Sequence, residues 1–172
     1  FLEWHVEDVI HPAKADYVAL YCLRGNEDAK TLIFEGAKYF NSSLYNNRLS
    51  QSKFKVLCDE TFIKDFKKET EISIFDGLSD PEFNYDPHFM QIGNQKDQQE
   101  INKLKQFINR NFIEITLKPG NLLIFDNRRV IHSRTNYNPK YDGKDRWLLR
   151  TLIVESTWKL RSSLTNELLT VK

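Results

Sequence analysis

The chain is dominated by short β-type runs, each set off by turn residues, and this pattern limits the folds open to it. The runs are Asp16–Leu23, Lys30–Phe34, Glu71–Phe75, Phe89–Ile92, Phe112–Leu117, Asn121–Phe125, Val130–Arg134 and Trp147–Glu155. Between two of them stands Lys118-Pro119-Gly120, with Pro and Gly at the central positions that a type II turn requires. Asp126-Asn127 offers a second turn ahead of Val130. Two stretches read as helix. Gln95–Asn109 places Ile101, Leu104, Phe107 and Ile108 on one face. Ala37–Leu49 carries Ala37, Phe40 and Leu44 at helical spacing, with Leu49 a looser fit. Many strands and few helices favour a mainly β fold with flanking helices, of the jelly-roll type, over an α/β fold.

Composition removes several classes of function. Lys+Arg total 25 against 24 Asp+Glu, a net charge of +1, so no basic excess is available to neutralise a phosphate backbone. Nucleic acid is excluded as a first partner, and no block of like charge marks a membrane-surface helix. No apolar run approaches the roughly 20 residues of a membrane helix. The 6 glycines form no phosphate-binding loop. Cys22 and Cys58 are too few for a disulfide framework and lack CxxC spacing. A reducing compartment, the cytoplasm, is therefore expected. The 172 residues suit one domain. The chain opens on Phe1 without the regions of a secretion signal, and reads as part of a longer protein.

Chemistry concentrates at the two ends. His5 and Glu7 form His-x-Glu, and residues two apart in an extended segment project to one side. Far along the chain, His132 lies in a β-run after a tight turn. Two imidazoles and one carboxylate on one face of a metal leave three octahedral positions open, as in non-haem Fe(II) oxygenases. Zinc accepts the same donors, so the triad alone does not name the metal. Arg146 and Arg150 follow on the next run, four apart and facing the same side, about 13 Å apart along an extended chain. Guanidinium forks bind carboxylates bidentately, so two forks suggest two carboxylates to hold. Neither His11, before Pro12, nor His88, after Pro87, has a partner spacing, and both are expected outside the cluster.

Four segments carry a resemblance: LEWHVED at Leu2–Asp8, ADYVALYCLR at Ala15–Arg24, FNYDPHFM at Phe83–Met90, and the long block Leu122–Val154. Taken together they resemble the clavaminate synthase-like Fe(II)/2-oxoglutarate oxygenases, which include asparagine oxygenase and the hydroxylases of free arginine and lysine. The match runs in order through nearly the whole chain and is poor from Phe34 to Ile74. It implies a double-stranded β-helix, with residues 1–172 as the C-terminal portion of a single oxygenase domain whose N-terminal part is missing. By motif, His5, Glu7 and His132 resemble the iron ligands. Arg146 and Thr31 match residues that hold the distal carboxylate of 2-oxoglutarate. Arg150 matches the residue that grips the substrate's α-carboxylate, and Asp86 one that faces its side chain or amine. Asp59 matches too thinly for a role.

The resemblance implies a dioxygenase that uses Fe(II), 2-oxoglutarate and O2 to hydroxylate an unactivated C–H of a free L-amino acid, releasing succinate and CO2. Asp76, Asp80, Glu82 and Asp86 lie within one stretch of eleven residues, which favours a basic side chain such as Lys or Arg. Asn84 suits an amide or urea instead. The segment from Ser79 to Asp86, with Pro81 and Pro87 near its ends and few apolar anchors, is expected to be a mobile lid. Two other classes stay open: a cupin-like metal-binding isomerase, and a non-catalytic, truncated ligand-binding module.

Overall fold

In the computed structural model, residues 2–9, 11, 14–57 and 69–160 are described. Strand β1 (Leu2–His5) is followed by β2 (Tyr17–Arg24), β3 (Thr31–Glu35) and the short helices α1 (Gly36–Phe40) and α2 (Arg48–Gln51). Next come β4 (Phe54–Leu57), β5 (Glu69–Ile72), β6 (Phe75–Asp76), β7 (Glu82–Phe83) and β8 (Met90–Gln91). Helix α3 (Gln95–Asn111), β9 (Ile113–Ile115), β10 (Leu122–Asp126), β11 (Val130–Arg134) and β12 (Trp147–Ile153) follow, and then a short 3-10 helix at Thr157–Leu160. The strands form a four-stranded sheet in the order β1-β11-β3-β9, a three-stranded sheet β10-β2-β12, a second three-stranded sheet β5-β4-β8, and the β6-β7 ribbon.

The first two sheets make the jelly roll, and strict alternation decides what fills it. On β3 and β11, Leu32, Phe34 and Ile131 join Leu104 and Ile108 of α3 in one buried cluster. The alternate residues Ile33 and Val130 turn the other way and pack against Val18, Leu20, Cys22 and Phe125 of the facing sheet. The four-stranded sheet is thus covered on both faces. Its inner face carries His132 and Arg134, which pair in register with Ile33 and Thr31. Because side chains alternate with period two, a slip of one residue in β11 would send His132 into the helix-side core.

The turns and α3 follow the sequence. Asn121 N–H donates to Lys118 O at 2.9 Å, and Gly120 has φ +86°, as position i+2 of a type II turn demands. Helix α3 starts where Asn94 accepts from Asp97 N–H, an N-cap that satisfies one of the free amide donors. Asp126-Asn127 does turn the chain, but not into a hairpin. Strand β10 pairs with β2 while β11 pairs with β3 and β1, so this corner carries the chain from one sheet to the other.

Three expectations are corrected. The helix expected over Ala37–Leu49 is two short helices, Gly36–Phe40 and Arg48–Gln51. Short polar side chains interrupt it by bonding the local backbone. Ser42 Oγ donates to Tyr39 O at 2.7 Å, and Asn46 Oδ1 accepts from Arg48 N–H at 2.9 Å. The run Glu71–Phe75 is divided between β5 and β6. The expected lid is not loose. Phe83 and Tyr85 are buried, and Phe83 stacks on Phe75 with ring centroids 4.8 Å apart. Backbone bonds from Phe83 N to Arg128 O (2.6 Å), Asn84 N to Ile74 O (2.7 Å) and Val6 N to Tyr85 O (2.9 Å) tie the segment to three others. The aromatic residues between the two prolines supply the anchors.

Gly36 lies directly under Phe83, where an added Cβ would meet the ring at 2.7 Å. Phe34, Phe75 and Tyr85 hem that ring in, so it has no room to retreat. Gly36→Ala is expected to cost about 1–3 kcal/mol by overpacking. Urea unfolding measures this, and an unchanged midpoint would refute the close contact.

Candidate active site

The site forms where β1, β11 and β12 meet. His5 ends β1 and pairs in register with His132 on β11. Their ring centroids are 4.2 Å apart. Glu7 follows in a turn, buried at 7% exposure. Ligand atoms of His5, Glu7 and His132 all lie within 4.8 Å of one another. His11 and His88 stand outside this group.

Each ligand is prepared by its surroundings. His5 Nδ1 donates to Glu3 O at 2.8 Å, which fixes the tautomer and leaves Nε2 with its lone pair free. Burial, with His5 and Arg150 nearby, pushes the His132 imidazole down to about 3, so it is neutral and able to donate its lone pair at neutral pH. Glu7 divides its oxygens. Oε1 accepts from Arg150 Nη1 at 2.5 Å, and Oε2 lies 3.8 Å from His132 Nε2. Oε2 is fully buried and has no hydrogen-bond partner among the described residues. A carboxylate oxygen buried without a donor is costly. A cation held by His5, Glu7 and His132 would satisfy it, and the donor set of two imidazoles and one carboxylate fits Fe(II).

Arg146 and Arg150 are sent to different tasks. Arg146 Nη2 donates to Thr31 Oγ1 at 3.0 Å, and Thr31 is buried at 2% exposure. Burial and the nearby Arg134 both lower the Arg146 pKa. Among the described residues no carboxylate pairs with Arg146 or Arg134. Arg134 was not singled out from the sequence. It sits across from Thr31 in register, with its guanidinium carbon 4.9 Å from the Tyr137 ring centre. The signal available for it was position alone, two residues after His132 and therefore on the same face of β11.

Asp86 lines a cleft of about 330 Å³ together with Leu2, Glu3, His5, His88 and Phe89. Burial raises its pKa, against opposing pulls from His5 and His88. The neighbouring acids are spent elsewhere: Asp80 pairs with Arg129, and Glu82 lies 3.2 Å from Lys14. Asn84 accepts from Lys14 at 2.9 Å and donates to Ser73 O at 3.3 Å, which turns it away from the cleft. Of the four acids in the stretch, Asp86 alone lines this cleft with His5. Asp59 lies outside the described residues.

A jelly roll with two histidines and a glutamate at one end of its barrel fits the fold of metal-dependent oxygenases, and the comparisons agree. The taurine catabolism dioxygenase TauD, TfdA family matches residues 63–152, just over half of the chain, and the chain belongs to that family. The enduracididine beta-hydroxylase of Streptomyces hygroscopicus is 28% identical over 94% of this chain and 55% of its own length. The L-ornithine/L-arginine 3-hydroxylase of Catenulispora acidiphila is 26% identical over 90% of this chain and 53% of its own length. Asparagine oxygenase, solved in complex with Fe(II), 2S,3S-3-hydroxyasparagine and succinate, superposes with a TM-score of 0.86 at 25% identity, over 98% of this chain and 54% of that one. The chain spans about half the length of the curated relatives it matches.

His132→Ala and Glu7→Ala are each expected to abolish one-to-one binding of Co(II), while His11→Ala leaves it intact. Anaerobic titration calorimetry reads this directly. Tight binding by His132→Ala would remove that residue from the site.

Proposed function

We propose that the chain is the metal-bearing portion of an Fe(II)- and 2-oxoglutarate-dependent dioxygenase that hydroxylates a free L-amino acid. The observation that carries this reading is the convergence of His5, Glu7 and His132 beside a second, acid-free cluster of Arg146, Arg134 and Thr31. A metal site with no anion pocket would suit many enzymes, whereas this pairing suits a chelating oxoacid. When bound, Fe(II) with 2-oxoglutarate supplies the oxidising chemistry: O2 and 2-oxoglutarate yield succinate, CO2 and one oxygen atom inserted into the substrate C–H.

Residues of this chain supply the orientation. His5, Glu7 and His132 would hold the metal through two imidazoles and one carboxylate. Arg146, backed by Thr31, takes the distal carboxylate of 2-oxoglutarate. Its burial strengthens that pairing, because water competes less for the guanidinium. Arg150 is more exposed than Arg146, and it is held by Glu7 at 2.5 Å. A substrate carboxylate offers it a second partner at the edge of the metal site. Asp86, across the cleft beside His5, is placed to meet an ammonium or guanidinium group. That favours a basic amino acid, and the relatives named above include an L-ornithine/L-arginine 3-hydroxylase.

Each relative extends well beyond the part that this chain matches. On the outer face of the β10-β2-β12 sheet, Leu122, Ile124 and Leu149 are exposed by 57%, 53% and 47%. No helix among the described residues is long and apolar enough to cross a membrane. Cys22 is a free, buried thiol, in keeping with assignment to the cytoplasm.

The test is incubation of the protein with Fe(II), 2-oxoglutarate and single free amino acids, with products read by mass. A gain of one oxygen atom with stoichiometric succinate names the substrate. Succinate release that no free amino acid stimulates would end the amino-acid reading. Arg146→Ala is expected to raise the 2-oxoglutarate KM by orders of magnitude. Arg150→Ala should impair substrate-coupled turnover more than the slow uncoupled decarboxylation. Asp86→Asn should harm a lysine or arginine substrate more than a neutral one, since it removes charge and keeps shape.

A further inference from the structure

Glu7 lies just beyond the end of β1, where the sheet no longer supplies backbone partners. Asp8, the next residue, has φ +50°, so the chain turns sharply there. Both backbone polar groups of Glu7 are nevertheless satisfied, and by a single side chain. Asn127 Oδ1 accepts from Glu7 N–H at 2.9 Å, and Asn127 Nδ2 donates to Glu7 O at 2.9 Å. The same Nδ2 donates to Ala15 O at 3.1 Å, and Asn127 N–H donates to Asp16 O at 2.8 Å. Asn127 has 0% exposure. A carboxamide carries the same donor and acceptor as a peptide group, so this side chain substitutes for the missing strand neighbour.

We infer that Asn127 is a positioning residue of the metal centre. It clamps the Glu7 backbone and thereby sets the direction from which the Glu7 carboxylate reaches the metal. Its place in the fold makes it suited to this. It sits in the corner between β10 and β11, five residues before His132. The two ligand segments are 120 residues apart in sequence at this contact, and the amide links the carboxylate of one to the strand bearing the histidine of the other. Val6, just before Glu7, is held separately by Tyr85 O at 2.9 Å. With the backbone fixed on both sides, only the Glu7 side-chain torsions remain to be set. The Glu7 Oε2 that faces His132 has no hydrogen-bond partner among the described residues. Its aim therefore depends on where the backbone starts it and on the Arg150 contact with Oε1. Outer groups that orient metal ligands typically contribute 10–100-fold to metal affinity.

This inference rests on the metal reading proposed above, and the experiment separates the two. Co(II) affinity and the visible absorption of bound Co(II) are measured for the parent chain, for Asn127→Ser and Asn127→Asp, and for the core variant Ile108→Val as a stability control. Asn127→Ser shortens the side chain so that it no longer spans both Glu7 groups. Asn127→Asp keeps the size and loses the donor, and it serves where the smaller residue prevents folding. Positioning predicts a 10–100-fold loss of Co(II) affinity and an altered spectrum in both Asn127 variants, while Ile108→Val loses stability with affinity and spectrum unchanged. Asn127 variants that lose stability and bind Co(II) like the parent would make the amide a purely structural clamp and overturn the inference alone. A parent chain that binds no Co(II) would overturn the metal reading and this inference with it.

Discussion

The structure depends on the antiparallel pairing of β1 with β11, which sets His5 against His132. Strand β11 has a partner on each edge. On one side its His132 meets His5, and on the other its Arg134 meets Thr31. Both polar inward residues of β11 are thereby placed beside their counterparts, His132 in the candidate metal site and Arg134 next to Thr31. The opposite face of the same strand is held by Ile131, fully buried against the α3 cluster. The apolar core on one side therefore fixes the register of the polar site on the other. Ser133, between the two functional residues, closes the arrangement by donating to Leu2 O at 2.5 Å, which binds β1 to β11 once more.

Charge balance then divides the barrel end into two regions. Glu7 and Arg150 make a contact in which the acid is buried and the side chain of the base is 55% exposed. Solvent screens the exposed partner, so the pair is more useful for orientation than for stability. It holds one oxygen of Glu7 and leaves the other turned toward His132. Arg146 and Arg134 are the reverse case: two cations close enough to depress one of them, with no acid among the described residues to offset the repulsion. Nothing in the fold itself profits from such a pair. A dicarboxylate ligand would, because it brings the missing negative charge to the two guanidinium groups.

Legibility in the sequence followed range. The strands and the type II turn are written in local patterns, and α3 was readable from the spacing of Ile101, Leu104 and Ile108. The three candidate ligands stood out because His-x-Glu and a distant histidine in a β-run are recognisable chemistry. The Arg146 and Arg150 pair was visible, but the contact of Arg150 with Glu7 was not, since nothing local links positions 143 apart. Arg134 and Asn127 escaped notice for the same reason. Each looks like an ordinary strand or turn residue until the far segment is in place. The segment from Ser79 to Asp86 misled in the opposite direction. Its prolines and acids are typical of a surface loop, while Phe83 and Tyr85 make it part of the core. The break at Asn41–Asn47 was legible in principle from its run of Asn and Ser, which the apolar spacing outweighed.

The candidate metal ligands come from β1, the turn after it and β11, and both strands belong to the sheet that is covered on both faces. The facing sheet β10-β2-β12 contributes Arg150, and Arg146 stands just ahead of its last strand. Its inner face is packed through Val18, Leu20 and Cys22, whereas Leu122, Tyr21 and Leu149, aligned across its three strands, lie exposed on the outside. An apolar stripe of this kind, running across every strand of a sheet, is costly to leave in water. The consequence is an asymmetry in what each half of the site requires. The metal triad is braced by contacts wholly within the described residues, through α3, Asn127 and the β1–β11 pairing. The strand carrying Arg150 is braced on one face and at one edge only. The candidate metal triad therefore rests on a finished core, and Arg150 on a sheet whose outer side carries exposed apolar side chains.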